Sequence, residues 1–267
     1  MKNIAAKIRL LALEGIHAAG SGHTGGSLSI GEILSVLIFD QMNISPERPD
    51  DPDRDRLVLS KGHAAPAYYG ALALRGFFPV EDMKYLRQAG SHLQGHPSMV
   101  KTKGVDMSTG SLGQGLSAAC GMALAGIYHK KDYFVYCICG DGELQEGQIW
   151  EAAMSAAHYK LDHLILLVDH NRLQIDGRVE DIMGIESVAG KFRAFGWHTA
   201  EIDGHDIKAV KEAVLQAKQS IGHPSVIICN TVKGKGVSFM EDQAGWHGQA
   251  PDDEQYKQAV KELTEAL

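Results

Sequence analysis

The chain reads as an α/β protein: a doubly wound, mostly parallel sheet with helices on both faces, built as a single domain over 1–267. Two observations lead there. Short apolar runs rich in aromatic and β-branched residues recur along the chain, notably Tyr133–Cys139, His163–Asp169 and Ser225–Val232, and they read as buried strands. Helix-forming segments alternate with them, which is the pattern of a parallel sheet wrapped by helices. No repeat, low-complexity tract or Pro/Ser/Gly linker divides the 267 residues, a length that one large domain can use to bury a full core.

The elements follow in order. Ile4, Ile8, Leu11 and Ala12 share one helical face, so the first segment is an amphipathic helix; Glu14 interrupts the apolar stretch, and no small-residue cleavage pattern follows, which argues against a signal peptide. A glycine-rich loop, 20–26, leads to a helix over 29–39. Residues 41–56 form a polar surface excursion with three prolines. Leu57–Ser60 is a short strand, followed by helices over 66–75 and 80–88. A loop over 90–110 precedes an alanine- and glycine-rich helix, 112–129. The strand 133–139, a helix over 148–159 and the strand 163–169 come next. The strand 197–202, a helix over 207–219, the strand 225–232, a loop over 233–251 and a terminal helix complete the chain.

Composition removes several function classes. A formal charge of −7 disfavours a nucleic-acid binder, which needs a concentrated basic stripe. No apolar run is long enough to span a bilayer, and a cytoplasmic location without membrane attachment is expected. The four cysteines lie in apolar runs without metal spacing, and Cys137 and Cys139, on one strand face, read as core.

The chemistry begins at Gly140-Asp141-Gly142, with Asn171 one crossover later. Strand, helix and strand make a right-handed parallel crossover, so both strands end at one edge of the sheet, where open α/β sheets hold ligands. One carboxylate, one amide oxygen and a nearby backbone carbonyl suit Mg²⁺ that takes its other ligands from a diphosphate and water. Four further loops pair glycine with histidine: Gly22-His23, Gly62-His63, Gly95-His96 and His247-Gly248. Glycine lets backbone approach a ligand, and histidine exchanges protons near neutral pH. Blander readings exist for single residues. Asp141 alone could be a turn residue and Asn171 a cap; Glu143 and Glu151 read as acids favouring a helix N-terminus. Lys233 and Lys235 fit a solvated loop equally well. The remaining histidines, His170 and His205 among them, read as surface or satisfied side chains. The run 110–115 misses the dinucleotide fingerprint, and no phosphate-loop lysine motif occurs.

Taken together the motifs resemble the N-terminal, diphosphate-binding part of transketolase, a thiamine-diphosphate enzyme. The resemblance runs through Gly22-His23-Thr24-Gly25, Ser60-Lys61-Gly62-His63-Ala64-Ala65-Pro66, Gly95-His96-Pro97 and Thr109-Gly110-Ser111-Leu112-Gly113-Gln114-Gly115. It continues through Gly140-Asp141-Gly142-Glu143, Asn171-Arg172-Leu173, Val232-Lys233-Gly234-Lys235-Gly236 and Trp246-His247-Gly248. It implies that Asp141, Asn171 and the Leu173 carbonyl ligate Mg²⁺ (or Ca²⁺ or Mn²⁺), with Gly142 closing on the diphosphate. His63 and His247 would contact diphosphate or substrate oxygens, and His23, His96 and His247 would line the reaction centre. Gly110 and Leu112 would offer backbone to the aminopyrimidine, and Ile175 would pack near the thiazolium. Glu146 matches an acidic position linked to subunit contact, and Lys233 a basic position near the cofactor.

The resemblance also implies what this chain lacks: the glutamate, aromatic pocket and phosphate-binding arginines of a second domain. The expectation is one subunit of a split transketolase acting on sugar phosphates, completed by a separate pyrimidine-binding chain in an α2β2 heterotetramer and inactive alone. Rival readings are the α-subunit of a 2-oxo-acid dehydrogenase first component, a 1-deoxyxylulose-5-phosphate synthase, and a non-catalytic cofactor-binding or regulatory module. The Lys61–Pro66 and Trp246–Gly248 motifs favour transketolase over the two enzyme rivals.

Overall fold

A computed structural model describes residues 1–265 and 267. The main sheet holds β1 (Arg56–Leu59), β2 (Val135–Gly140) and β3 (Leu164–His170), and, after a two-stranded hairpin of β4 (Leu173–Gln174) and β5 (Gly177–Arg178), β6 (His198–Asp203) and β7 (Ser225–Asn230). Its order is β1-β2-β3-β7-β6, and every neighbouring pair is parallel. All seven residues of β3 are buried, as a strand covered on both faces requires.

Successive side chains of these strands serve opposite layers. Leu59, Tyr136, Ile138, Ile165, Leu167 and Ile227 pack with α1 (Lys2–Ala19), α3 (Gly31–Val36), α4 (Ala65–Arg75) and α9 (Ile207–Ala217). Val58, Cys137, Cys139, Leu166, Val168 and Ile228 pack with α5 (Gln114–Tyr128), α6 (Gly147–His158), α7 (Val179–Met183) and α8 (Val188–Ala194). This is the expected arrangement of helices on both faces. Truncating a buried leucine such as Leu166 to alanine costs about 2–5 kcal/mol in such a core. A smaller apolar cluster joins α1 and α2 (Thr24–Leu28) to α10 (Asp253–Glu265) through Leu13, Leu28, Met240, Trp246 and Leu263.

The structure departs from the sequence expectations where tertiary packing overrides local pattern. The segment 80–88 is a 3-10 turn over Val80–Tyr85 that ends when Leu86 turns extended and Arg87 adopts φ 61°. Leu86 and Met83 are fully buried, and both lie against Gly15 of α1; that burial outweighs continuing the helix. Helix 112–129 starts at Gln114 because Gly113 sits at φ 83°. The glycine loop is shorter than expected, since α2 begins at Thr24, and the helix expected over 29–39 starts only at Gly31 and widens into a π turn at Leu37–Gln41.

Candidate active site

The parallel strands all end at one edge, and four of them deliver polar side chains there. Ser60 to His63 follow β1, Asp141 follows β2, Asn171 follows β3, and Thr231 to Lys233 follow β7. The register Gly140↔Asp169 and His170↔Asn230 sets these exits level. A cleft with about 750 Å³ of empty space opens among them, lined by Lys61, His63, Asp141, Asn171, Lys233 and His247 with the adjoining loops.

Asp141 and Asn171 are joined through backbone. Asp141 Oδ1 accepts from Gly142 N at 2.8 Å, and Oδ2 accepts from the amide of Arg172, the residue after Asn171. Asn171 Oδ1 accepts from Leu173 N at 3.1 Å, while its Nδ2 donates to Asp169 Oδ2 at 2.8 Å. Burial, and then the nearby Asp169 charge, raise the Asp141 carboxyl to about 6. Among the described residues no three His, Cys, Asp or Glu side chains converge as a metal cluster. The donors at hand are one carboxylate, one amide oxygen and one backbone carbonyl, a hard-oxygen set that leaves open positions for ligand and water.

The histidines form a second group. The rings of His23, His63 and His247 make a triangle with centroids 5.1–5.4 Å apart. Two bonds bring the distant segments together: Thr24 Oγ1 donates to Gln249 O at 2.6 Å, and Gly234 N donates to Gly25 O at 3.0 Å. Burial, reinforced by Lys233, lowers His247 to about 3, and burial with the Arg87 charge lowers His23 to about 4. Burial and Lys61 hold His63 well below the usual range, and burial and Arg87 lower His96. These imidazoles are neutral at pH 7. Lys233 Nζ lies 2.9 Å from His247 Nδ1, so the ammonium donates and the His247 proton sits on Nε2. His23 Nδ1 is buried without a partner. The His96 ring packs on Gly110, where an added Cβ would sit 3.0 Å from it.

The remaining singled-out residues surround the same cleft. Leu112 and Ile175 present apolar surface at its mouth, 36% and 67% exposed, and Gly142 and Leu173 line its wall. Glu146 is exposed at the rim and packs beside Gly113. Two bland readings fail. Lys233 is buried rather than solvated, whereas Lys235 is a surface partner of Glu241. Glu143 is no exposed helix-end acid: it is 4% exposed and accepts from Ser60 Oγ, Gly113 N and Gly140 N. Burial raises its pKa.

Sequence reasoning gave Lys61 and Asp169 no role. Lys61 Nζ donates to Asp169 Oδ2 at 2.5 Å and to Gly26 O at 2.8 Å, all inside the protein. A lone acid closing an otherwise apolar strand, two residues before Asn171, was the available signal. His170 and His205 are satisfied, as expected: His170 pairs with Glu186 at 2.8 Å and His205 with Glu32 at 2.9 Å.

Comparison with known proteins places this geometry. Residues 1–265 match the family described as transketolase, thiamine diphosphate binding domain. The chain is 52% identical over 256 residues to the 6-deoxy-6-sulfo-D-fructose transketolase subunit SqwG of Clostridium sp. (strain MSTE9), covering 96% of this chain and 93% of that one. It is 42% identical over 261 residues to an apulose-4-phosphate transketolase subunit from Phocaeicola vulgatus, covering 98% and 92%. The crystal structure of Campylobacter jejuni transketolase superposes with a TM-score of 0.93 at 37% identity, over 98% of this chain but 42% of that longer one. The chain therefore belongs to the transketolase family, in its thiamine diphosphate binding domain.

Proposed function

We propose that this chain is the diphosphate-binding subunit of a two-component, thiamine-diphosphate-dependent transketolase that transfers a two-carbon ketol unit between anionic sugars. The observation that carries the reading is the meeting in one cleft of three oxygen donors with the imidazoles of His63 and His247, backed by His23. Two relatives named as transketolase subunits, matched over 93% and 92% of their lengths, support a partner chain that supplies the pyrimidine-binding half. We further propose an α2β2 assembly.

The residues suit the cofactor and its metal. Asp141, Asn171 Oδ1 and the Leu173 carbonyl form the oxygen set a Mg²⁺ ion takes, and Lys233, which donates to Leu173 O and His247 rather than to a carboxylate, places positive charge beside it for a diphosphate. His23 Nδ1 is buried without a partner, and its ring backs those of His63 and His247, which line the cleft. Thiamine diphosphate, when bound, supplies the carbon nucleophile that breaks and remakes the sugar's carbon–carbon bond. The protein moves the protons. His247 offers Nε2–H as a donor, and His23, His63 and His96, all neutral, accept or return protons on the sugar hydroxyls. Leu112 and Ile175 offer apolar contact to the rings and, with the backbone of Gly110, exclude water.

Mixing purified chain with its candidate partner, thiamine diphosphate and Mg²⁺ tests this reading. Ketol transfer from a phosphorylated or a 6-sulfo ketose is expected only from the pair, and the preferred donor names the substrate. Full activity from this chain alone would refute the split arrangement. Release of CO₂ from pyruvate would move the pair to the 2-oxo-acid dehydrogenase class, and cofactor binding without turnover would leave a non-catalytic module.

A further inference from the structure

We propose that Asp169 is a positioning residue that fixes which end of the Asn171 amide faces the cleft; the functional weight of this rests on the metal role proposed above for Asn171. An asparagine side chain has nearly the same shape after a half-turn of its amide, which exchanges oxygen and NH₂. Only the oxygen can hold a cation. The choice between the two ends is therefore made by the neighbours.

Those neighbours agree. Asp169 Oδ2 stands 2.8 Å from Asn171 Nδ2, and Leu173 N stands 3.1 Å from Asn171 Oδ1. A half-turn would set the amide oxygen against a carboxylate and the NH₂ against a backbone N–H, so both contacts would turn repulsive. Asp169 has no exposed surface and acts on the cleft only through other groups. Its carboxylate is itself braced: Oδ2 also accepts from Ser29 Oγ at 2.7 Å and from Lys61 Nζ at 2.5 Å, and Oδ1 accepts from Thr231 Oγ1. One buried carboxylate thus ties the exits of β1, β3 and β7 to the start of the chain. Groups that orient metal ligands in this way typically carry about ten- to hundredfold in metal affinity.

The test uses the full chain with Asp169→Asn, which keeps shape but removes the obligatory acceptor. In ¹⁵N spectra of the ligand-free protein, the Asn171 side-chain NH₂ is expected to be protected from exchange, and Asp169→Asn is expected to abolish that protection. With thiamine diphosphate present, Mn²⁺ titration followed by electron paramagnetic resonance should weaken by about ten- to hundredfold. Thr231→Val removes a bond to the other carboxylate oxygen and leaves the Asn171 contact in place, so it should move both readouts less than Asp169→Asn does. If Asp169→Asn does not fold, the exchange Asp169→Asn with Asn171→Asp restores one carboxylate–amide pair. It should bind Mn²⁺ more tightly than Asn171→Asp alone, which sets two carboxylates side by side. A folded Asp169→Asn protein with a protected Asn171 amide, or a swap that binds no better than Asn171→Asp, overturns the proposal. A wild-type chain with a protected amide and no Mn²⁺ binding would instead count against the metal reading of the site, leaving the amide signal to decide the role of Asp169.

Discussion

Lys233 Nζ stands 2.9 Å from the carbonyl oxygen of Leu173, the same oxygen proposed to face the metal. The ammonium thus occupies that carbonyl while also donating to His247 at 2.9 Å. Burial, with Lys61 nearby, lowers Lys233 to about 8, the sign of a cation held in the protein without a full counter-charge. A diphosphate would provide one. We predict that Lys233→Met weakens thiamine diphosphate binding by about ten- to hundredfold, the value of a charged hydrogen bond at about 1.5–3 kcal/mol. Urea unfolding of the ligand-free variant should show a loss of no more than about 1–3 kcal/mol, because Leu173 O and His247 Nδ1 lose their donor while an incompletely countered buried charge is removed. Affinity within threefold of wild type in a calorimetric titration would sink the assignment.

Glu143 braces three loops with one buried carboxylate, accepting from Ser60 Oγ at 2.5 Å, Gly113 N at 2.9 Å and Gly140 N at 3.1 Å. All three partners donate here. Glu143→Gln places an NH₂ among them, so at least one donor loses its acceptor. The expected cost is about 1–3 kcal/mol in urea unfolding. Since Ser60 precedes Lys61 and Gly140 precedes Asp141, cofactor affinity should fall as well. An unchanged midpoint and unchanged affinity together would show that these loops do not depend on the brace.

Much of this architecture was legible because buried parallel strands advertise themselves. The run 164–168 is apolar throughout because both its faces are covered, and that same coverage makes it an interior strand with its end at the ligand edge. Asp141 and Asn171 could be paired for the same reason, since a parallel crossover brings both strand ends to one edge. Glu143 was misread because local sequence reports proximity to a helix start, not which way the side chain turns. Asp169 and Lys61 were missed since a buried ion pair joins residues 108 positions apart, and no periodicity records such a contact. The elements over 173–194 escaped notice because strands of two residues and helices of five and seven are shorter than any hydrophobic period can establish.

Acid should weaken the ligand-free chain through its histidines. His23 and His247 are lowered in the folded protein to about 4 and about 3, from 6.5. Between those values and 6.5 the unfolded chain binds more protons, so their contribution is intact above pH 6.5 and is lost as pH falls toward 4. Asp141, raised to about 6, works in the opposite direction between pH 6 and 3.8. Comparison with a His23→Asn/His247→Asn variant isolates the two rings. Its stability should decline less steeply than wild type from pH 6.5 to 4 in urea titrations. Parallel curves would mean that both imidazoles titrate alike in folded and unfolded chains.

Two glycines of α5 should answer alanine with opposite signs. Gly115 is in the first turn, where a Cβ would come 2.3 Å from Ser60 Oγ and 2.7 Å from Ser60 Cα. The Cα cannot move without shifting Lys61 and His63, so Gly115→Ala should cost about 1–3 kcal/mol as overpacking and should weaken cofactor binding. Gly121, on the exposed face of the same helix, has nothing within 4 Å of its Cβ position. There alanine removes only glycine's backbone freedom, and stability should rise by up to about 1 kcal/mol with affinity unchanged. Thermal unfolding and calorimetry on both variants separate helix propensity from contact. If Gly115→Ala also stabilised the chain, the close approach of α5 to the Ser60 loop could not be what seats Lys61 and His63.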